Sequence, residues 1–304
     1  MCTKSRVPWV VGGQFGGSAE GPDPPSRMLI FYSKSLPASD PAFWPDFWKA
    51  NPSEVAEAFM PDFRAFRRYV HPGAKVLDAG CGTGYVTREM IRRGYDAFGI
   101  DFDQFSIQRG AREYGRFPGA IANVTQLPYR SNVFDAVFLS GVAEHVPGGA
   151  GDAIKECARA LRPGGCLVLT LPYLNIVRKI YAPFYRIGEK LQRGPRQFDQ
   201  FVYSRHEIVT MLRESGLEIL ECRRTHYITV LLRVPGISSL RKAIFPPGRV
   251  TPVAPSASSK EPQQVNPPSR KKAIAKKLVE GVLNLLIANR LTIVAEKKAF
   301  AKAR

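Results

Sequence analysis

Between residues 75 and 171, short apolar runs alternate with stretches in which apolar positions recur every third or fourth residue. Short runs bounded by turn residues predict buried strands, and the longer spacing predicts helices packed on them. The pattern places a strand over 75–78, a glycine turn over 80–84 and a helix over 85–93 that stops at Gly94. A second strand over 96–100 ends at Asp101 and leads into a helix over 103–114. Third and fourth strands fall near 120–123 and over 135–139, and a helix covers 151–161. Pro163-Gly164-Gly165 then turns the chain into a fifth strand over 166–171. Strands that alternate with helices in this way predict a parallel sheet covered on both faces.

The flanking segments follow other patterns. Residues 1–40, rich in Gly, Pro and Ser, read as a flexible leader. From Phe43 to Tyr69 aromatic residues recur at helical spacing, as a face that packs on the domain or as a cover over a pocket. An aromatic, basic insertion covers 173–203. Ser204-Arg205-His206-Glu207 is a capping box, its helix runs to Ser215, and a sixth strand covers 217–224 with an irregular continuation to 234. Five prolines among 251–269 mark a linker. Ile274, Leu278, Val282, Leu285 and Leu286 lie opposite Lys271, Lys272, Lys276 and Lys277, predicting a basic amphipathic helix over 271–289. A last strand covers 291–295.

Composition narrows the class. With 304 residues and 44% apolar content, the chain holds one large α/β domain with extensions or two small ones, and wholesale disorder is excluded. No apolar run reaches the length of a membrane-spanning helix, and the N-terminus lacks the pattern of an export signal. Five scattered cysteines without a Cys-x-x-Cys pair predict neither disulfides nor a zinc site, and a cytoplasmic location. The charge of +18 is uneven: residues 1–177 carry 19 Lys/Arg against 17 Asp/Glu, 178–250 carry 14 against 6, and 251–304 carry 11 against 3. The basic part faces nucleic acid, an anionic membrane or an acidic substrate, or is a solvated surface without a partner.

The strongest chemical signal is Val76-Leu77-Asp78-Ala79-Gly80-Cys81-Gly82-Thr83-Gly84. Alternate glycines between a strand end and a helix start let backbone approach a ligand closely, and free amides there favour an anionic group. The dinucleotide spacing G-x-G-x-x-G is not met, because Tyr85 occupies its last position. The segment from Asp78 to Pro172 resembles the methyltransferase type 11 domain of the class I S-adenosylmethionine-dependent methyltransferases. The resemblance implies S-adenosyl-L-methionine as cofactor, its methionine part held by Asp78, Gly80, Gly82 and Gly84. It implies that Asp101 binds both ribose hydroxyls, with two acceptor oxygens facing two donors. Phe102 then lies against the adenine. Asn123, before Leu127-Pro128-Tyr129, stands where the family has an Asp that accepts from the adenine amino group. Cys81 in the loop, Val124 beside Asn123 and Ser140 after the fourth strand complete the expected cofactor-binding set. Phe134-Asp135 and Leu161-Arg162-Pro163-Gly164-Gly165 also match the family pattern.

The implied architecture is α/β: a Rossmann-like class I methyltransferase fold whose seven-stranded, mostly parallel sheet has the order 3-2-1-4-5-7-6. The methyltransferase domain is expected over 41–298, with a cofactor-binding core over 74–172, a substrate lid over 173–203 and a basic insertion with its linker over 225–290. A basic tail follows over 299–304. Catalytic candidates are His145 and Glu144 after the fourth strand; His145 serves as a general base, or packs and orients a loop. Ubiquinone-biosynthesis O-methyltransferases resemble this region and carry a metal-associated Glu-x-x-Glu-His element. Here Gly141 replaces the first Glu, so no metal is expected. The expected acceptor is a small molecule, lipid-like or acidic, met by the aromatics and cations of 173–203. The alternative is a peripheral membrane or scaffold protein on the inner face of an anionic membrane, touching it through the basic C-terminal third. An RNA methyltransferase is the third option, though nucleic acid is not the expected partner. No Asn/Asp-Pro-Pro-aromatic element follows the fourth strand, and no cysteine stands where RNA cytosine-C5 enzymes have one.

Overall fold

The computed structural model describes residues 29–33, 60–180, 182–183, 197–225 and 290–299. β2 (Lys75–Ala79), β3 (Asp96–Asp101), β4 (Gly119–Ile121), β5 (Phe134–Ser140) and β6 (Leu161–Pro172) are parallel neighbours. β9 (Arg290–Lys297) joins β6 antiparallel, and β8 (Leu217–Thr225) joins β9 antiparallel. The seven strands lie in the order β4-β3-β2-β5-β6-β9-β8. Counted as predicted strands one to seven, this is 3-2-1-4-5-7-6.

Alternate side chains along each strand serve opposite faces of the sheet. On one face Val137, Leu139, Leu167, Leu169 and Ile293 pack with Ile154 and Cys157 of α4 (Ala150–Ala160) and Ile208 and Leu212 of α5 (Arg205–Glu214). On the other, Ala136, Phe138, Val168 and Val294 pack with Phe63 and Phe66 of α1 (Met60–Tyr69) and Met90 of α2 (Tyr85–Arg92). A sheet covered on both faces needs apolar residues at successive positions, which is why Ala136-Val137-Phe138-Leu139 is continuous and not alternating. α3 (Gln104–Tyr114) starts where the Asp103 side chain accepts from the amides of Phe105 and Ser106, and α5 starts at the Ser204–Glu207 capping box.

Two segments depart from the sequence reading. Within the expected leader, β1 (Leu29–Ser33) pairs antiparallel with β7 (Gln197–Val202), which lies inside the expected lid. The partners are more than 160 residues apart, so no local pattern announces the ribbon. The aromatics of α1, by contrast, follow the packing reading: Phe66 meets Tyr95 and Phe138 edge-on at 5.2 and 6.0 Å. Pro163-Gly164-Gly165 falls within β6 as an irregularity between Leu161 and Cys166, where a turn was expected. Residues 43–59, the continuation of the sixth strand, the linker over 251–269 and the basic helix over 271–289 lie outside the described residues. No helix among the described residues is long and apolar enough to cross a membrane.

Phe66 is fully buried at the junction of α1 and the sheet. Phe66→Ala is expected to lower unfolding stability by roughly 3–5 kcal/mol, read from the denaturant midpoint. A loss below about 1 kcal/mol would mean that α1 does not share the core.

Candidate functional site

The glycine loop leaves β2 at the carboxyl edge of the sheet and is stitched at once to β3. Gly80 N and Cys81 N both donate to Ile100 O at 2.8 Å. Gly82 N donates to Asp101 Oδ2 at 2.8 Å, and Asp103 N donates to Asp101 Oδ1 at 2.9 Å. Loop and acid, 19 residues apart in sequence, are therefore in direct contact. The turn after β5 closes on the same loop: a Cβ on Gly80, whose φ is +84°, would lie 2.2 Å from Cγ2 of Val142. Only glycine accepts both that dihedral and that neighbour.

Both acids of the loop are costly to ionise. Burial, with the charge of Asp101 nearby, pushes Asp78 up to about 7 despite the hydroxyl of Thr87, which donates to Asp78 Oδ2 at 2.6 Å. Burial pushes Asp101 up to about 6, although the amides of Asp103 and Gly82 pull the other way. The Asp101 carboxyl accepts from backbone amides on both oxygens and, with about four lone-pair sites in all, can still receive a hydroxyl donor. Cys81 is no nucleophile: burial and the charges of Asp78 and Asp101 hold its thiol far above the usual range.

On the far side of Asp101, the strand register sets Asp101 beside Ile121, and Ala122 N donates to Asp101 O at 2.9 Å. Asn123 and the buried Val124 follow directly, and Phe102 is half-buried next to the acid. The Asn123 oxygen accepts from Thr125 N at 3.0 Å, so a local turn already uses the atom expected to meet the adenine.

Two residues that the sequence reading passed over shape the loop from below. A Cβ on Gly110 in α3 would lie 1.9 Å from the carbonyl oxygen of Thr83. Arg88 donates to that same oxygen at 2.7 Å and to Gly110 O at 2.7 Å, with its guanidinium 4.3 Å from the Phe117 ring centroid. A glycine inside a helix costs about 1 kcal/mol against alanine, and that misfit is the signal that a close approach lies there.

Past β5 the chain makes a short 3-10 turn, Ala143–His145. Glu144, fully buried, accepts from Arg290 at 2.7 Å through Oε1, while Oε2 is buried without a hydrogen-bond partner. Glu144 is half of an ion pair closed across 146 residues. Nothing local in the sequence points to Arg290. His145 Nδ1 lies 2.8 Å from Asp199 O in β7, so the ribbon holds the imidazole. Ser140 stands at the strand end with its hydroxyl shared between Asp62 and Thr170. Among the described residues no group of three or more His, Cys, Asp or Glu could hold a metal ion.

Residues 77–169 match the methyltransferase domain family. The ubiquinone biosynthesis O-methyltransferase of Acinetobacter baylyi is 30% identical over 166 residues, spanning 51% of this chain and 68% of that protein. Cycloartenol-C-24-methyltransferase 1 of Oryza sativa subsp. japonica is 29% identical over 170 residues, 52% of this chain and 47% of that one. A solved complex between the Haloferax volcanii Trm112 methyltransferase activator and a methyltransferase shares the fold, with a TM-score of 0.52 at 17% identity over 84% of this chain and 97% of that one. A glycine loop bonded to the acid that ends the neighbouring strand suits a nucleoside with a free ribose diol, and the chain belongs to the class I S-adenosylmethionine-dependent methyltransferases.

Gly110→Ala tests the brace. Alanine gains about 1 kcal/mol of helix propensity, but overpacking against Thr83 O costs roughly 1–3 kcal/mol or more, so net destabilisation is expected. The variant should also raise the S-adenosylhomocysteine dissociation constant in calorimetry; an unchanged constant would detach Gly110 from the site.

The two acids carry a pH signature of opposite signs. Their folded pKa values, about 7 and about 6, lie above the ordinary 3.8, so folding takes up protons between these limits. From these groups the cofactor-free protein gains stability as pH falls from 8 towards about 4 and loses it as pH rises through about 6–7. Cofactor binding uses the ionised carboxylate and should weaken over the same descent. Calorimetry with S-adenosylhomocysteine between about pH 5.5 and 8, beside melting of the free protein, checks both; a flat affinity profile would contradict the assignment of Asp101.

Proposed function

We propose that this methyltransferase methylates a protic oxygen or nitrogen of a small-molecule acceptor, with His145 receiving the proton. The observation that carries this reading is the 2.8 Å hydrogen bond between His145 Nδ1 and Asp199 O. A carbonyl only accepts, so Nδ1 bears the hydrogen and the neutral ring keeps its lone pair on Nε2. Asp78, Gly80, Cys81, Gly82, Gly84 and Asp101 hold the cofactor, with Phe102, Asn123 and Val124 at its base and Ser140 under its methionine end. When bound, the cofactor supplies a methyl group already activated on a sulfonium. The chain's own work is then alignment, together with proton removal where the acceptor is protic. As the acceptor's new bond to carbon forms, its O–H or N–H proton passes to Nε2 of His145.

A small acceptor is supported by the two relatives, one named for ubiquinone biosynthesis and one for cycloartenol. An apolar body with an acidic group is supported by Ile176 and Ile180, which are exposed beside Lys179 where the chain leaves β6.

Full-length protein given methyl-tritiated cofactor and a small-metabolite extract is expected to label a low-molecular-weight product. His145→Gln should lower kcat by about 10²–10⁴-fold while leaving S-adenosylhomocysteine affinity as it was. Label found in RNA or protein alone, or normal turnover by the variant, would overturn the reading.

A further inference from the structure

Asp62 belongs to α1, outside the span that matches the family, yet it reaches the carboxyl edge of the sheet. It is fully buried, and its neighbours Ser140, Thr170 and Thr292 are buried with it. The direction of every hydrogen bond in this cluster follows from donor chemistry. Gly141 N donates to Thr170 Oγ1 at 3.0 Å. Ser140 Oγ lies 3.1 Å from Thr170 Oγ1 and 3.1 Å from Asp62 Oδ2. A carboxylate only accepts, so the single Ser140 proton goes to Asp62, and Thr170 must be the donor to Ser140. Thr292 Oγ1 donates to the other oxygen, Asp62 Oδ1, and therefore accepts from Thr225 Oγ1 at 3.1 Å. The result is a chain from Gly141 N–H through Thr170 and Ser140 that terminates on one buried charge. Aligned hydrogen bonds of this kind polarise one another and fix their members more firmly than isolated pairs.

The free end of that chain lies beside the glycine loop. Gly141 has a φ of +72°, and the next residue, Val142, is the one pressed against Gly80. The Ser140–Gly141 peptide is trans, so its carbonyl points away from the N–H that donates to Thr170 Oγ1.

We propose that Asp62 is a positioning residue for the cofactor: through Ser140 and Thr170 it sets the Ser140–Gly141 peptide, and with it the shape of the cleft opposite Gly80. This rests on the reading of the glycine loop as the cofactor site. α1 is thereby a working part of that site as well as a cover on the core.

Calorimetric titration of the full chain with S-adenosylhomocysteine decides the matter. Asp62→Asn and Thr170→Val should each raise the dissociation constant by about tenfold, in line with other groups that orient a contacting residue. Because both interrupt one chain, the double variant should lose little more than the worse single one. Thr170→Ser, which keeps the hydroxyl, should recover most of the loss, which a purely structural methyl contact would not do. A folded Asp62→Asn that binds like the wild type, or fully additive losses, would overturn the proposal. Should Asp62→Asn fail to fold, the Thr170→Val and Thr170→Ser pair separates the same two outcomes. Absence of binding by the wild type would instead sink the cofactor-site reading, on which this proposal stands.

Discussion

The amide of Gly82 and the carboxylate of Asp101 meet in a buried setting at the carboxyl edge of two adjacent parallel strands. Neither group tolerates burial alone: an orphaned amide costs about 1–3 kcal/mol, and an unpaired charge costs more. Their contact requires the loop after β2 to fold back over the end of β3, and the two amides of Gly80 and Cys81 on Ile100 O hold it there. Close approach then has to be permitted on every side. Gly99 lies under the Cys81 thiol, Gly110 under the Thr83 carbonyl and Gly80 against Val142, and in each case a Cβ would collide. The glycines are consequences of that one contact as much as of the ligand.

The same arrangement explains why the site is poised and not relaxed. Asp78 and Asp101 are ionised near neutral pH only against the penalty of their burial. Glu144 commits one oxygen to Arg290 and leaves the other without a donor. Groups of this kind weaken the free protein and are offset when a ligand brings hydrogen-bond donors, the usual exchange of stability for function at a binding site. The hydroxyls around Asp62, by contrast, are mutually satisfied, and a satisfied buried network rigidifies what it touches.

Distant parts of the chain converge on the sheet edge that carries the chemistry. α1 supplies Asp62 from before the glycine loop, and β9 supplies Arg290 and Thr292 from the far end. The β1–β7 ribbon holds the imidazole of His145 through a backbone carbonyl. The β2-to-β6 core carries the glycine loop and Asp101, while the flanking elements determine how the turn after β5 is held. That turn carries Ser140, Glu144 and His145, and it is where the acceptor and the cofactor meet in the proposed reaction.

Much of this was legible along the chain because the signals are local. The alternation of apolar runs and helical spacing marked β2 to β6 within a residue or two at most boundaries, and the loop from Asp78 to Gly84 announced itself through glycines that backbone geometry requires. Asp101 was recognisable by its place at the end of the next strand. Other features were not legible, because their partners lie far away in sequence. Asp62 is a lone acid on an aromatic helix, Arg290 is one basic residue among 44 Lys and Arg, and Leu29–Ser33 is five residues in a glycine- and proline-rich stretch. Local propensity and pattern determined most strands of the large sheet and the glycine loop; only the folded chain decided the β1–β7 pairing and which buried charge met which donor, since that choice depends on distances that no neighbouring residue encodes.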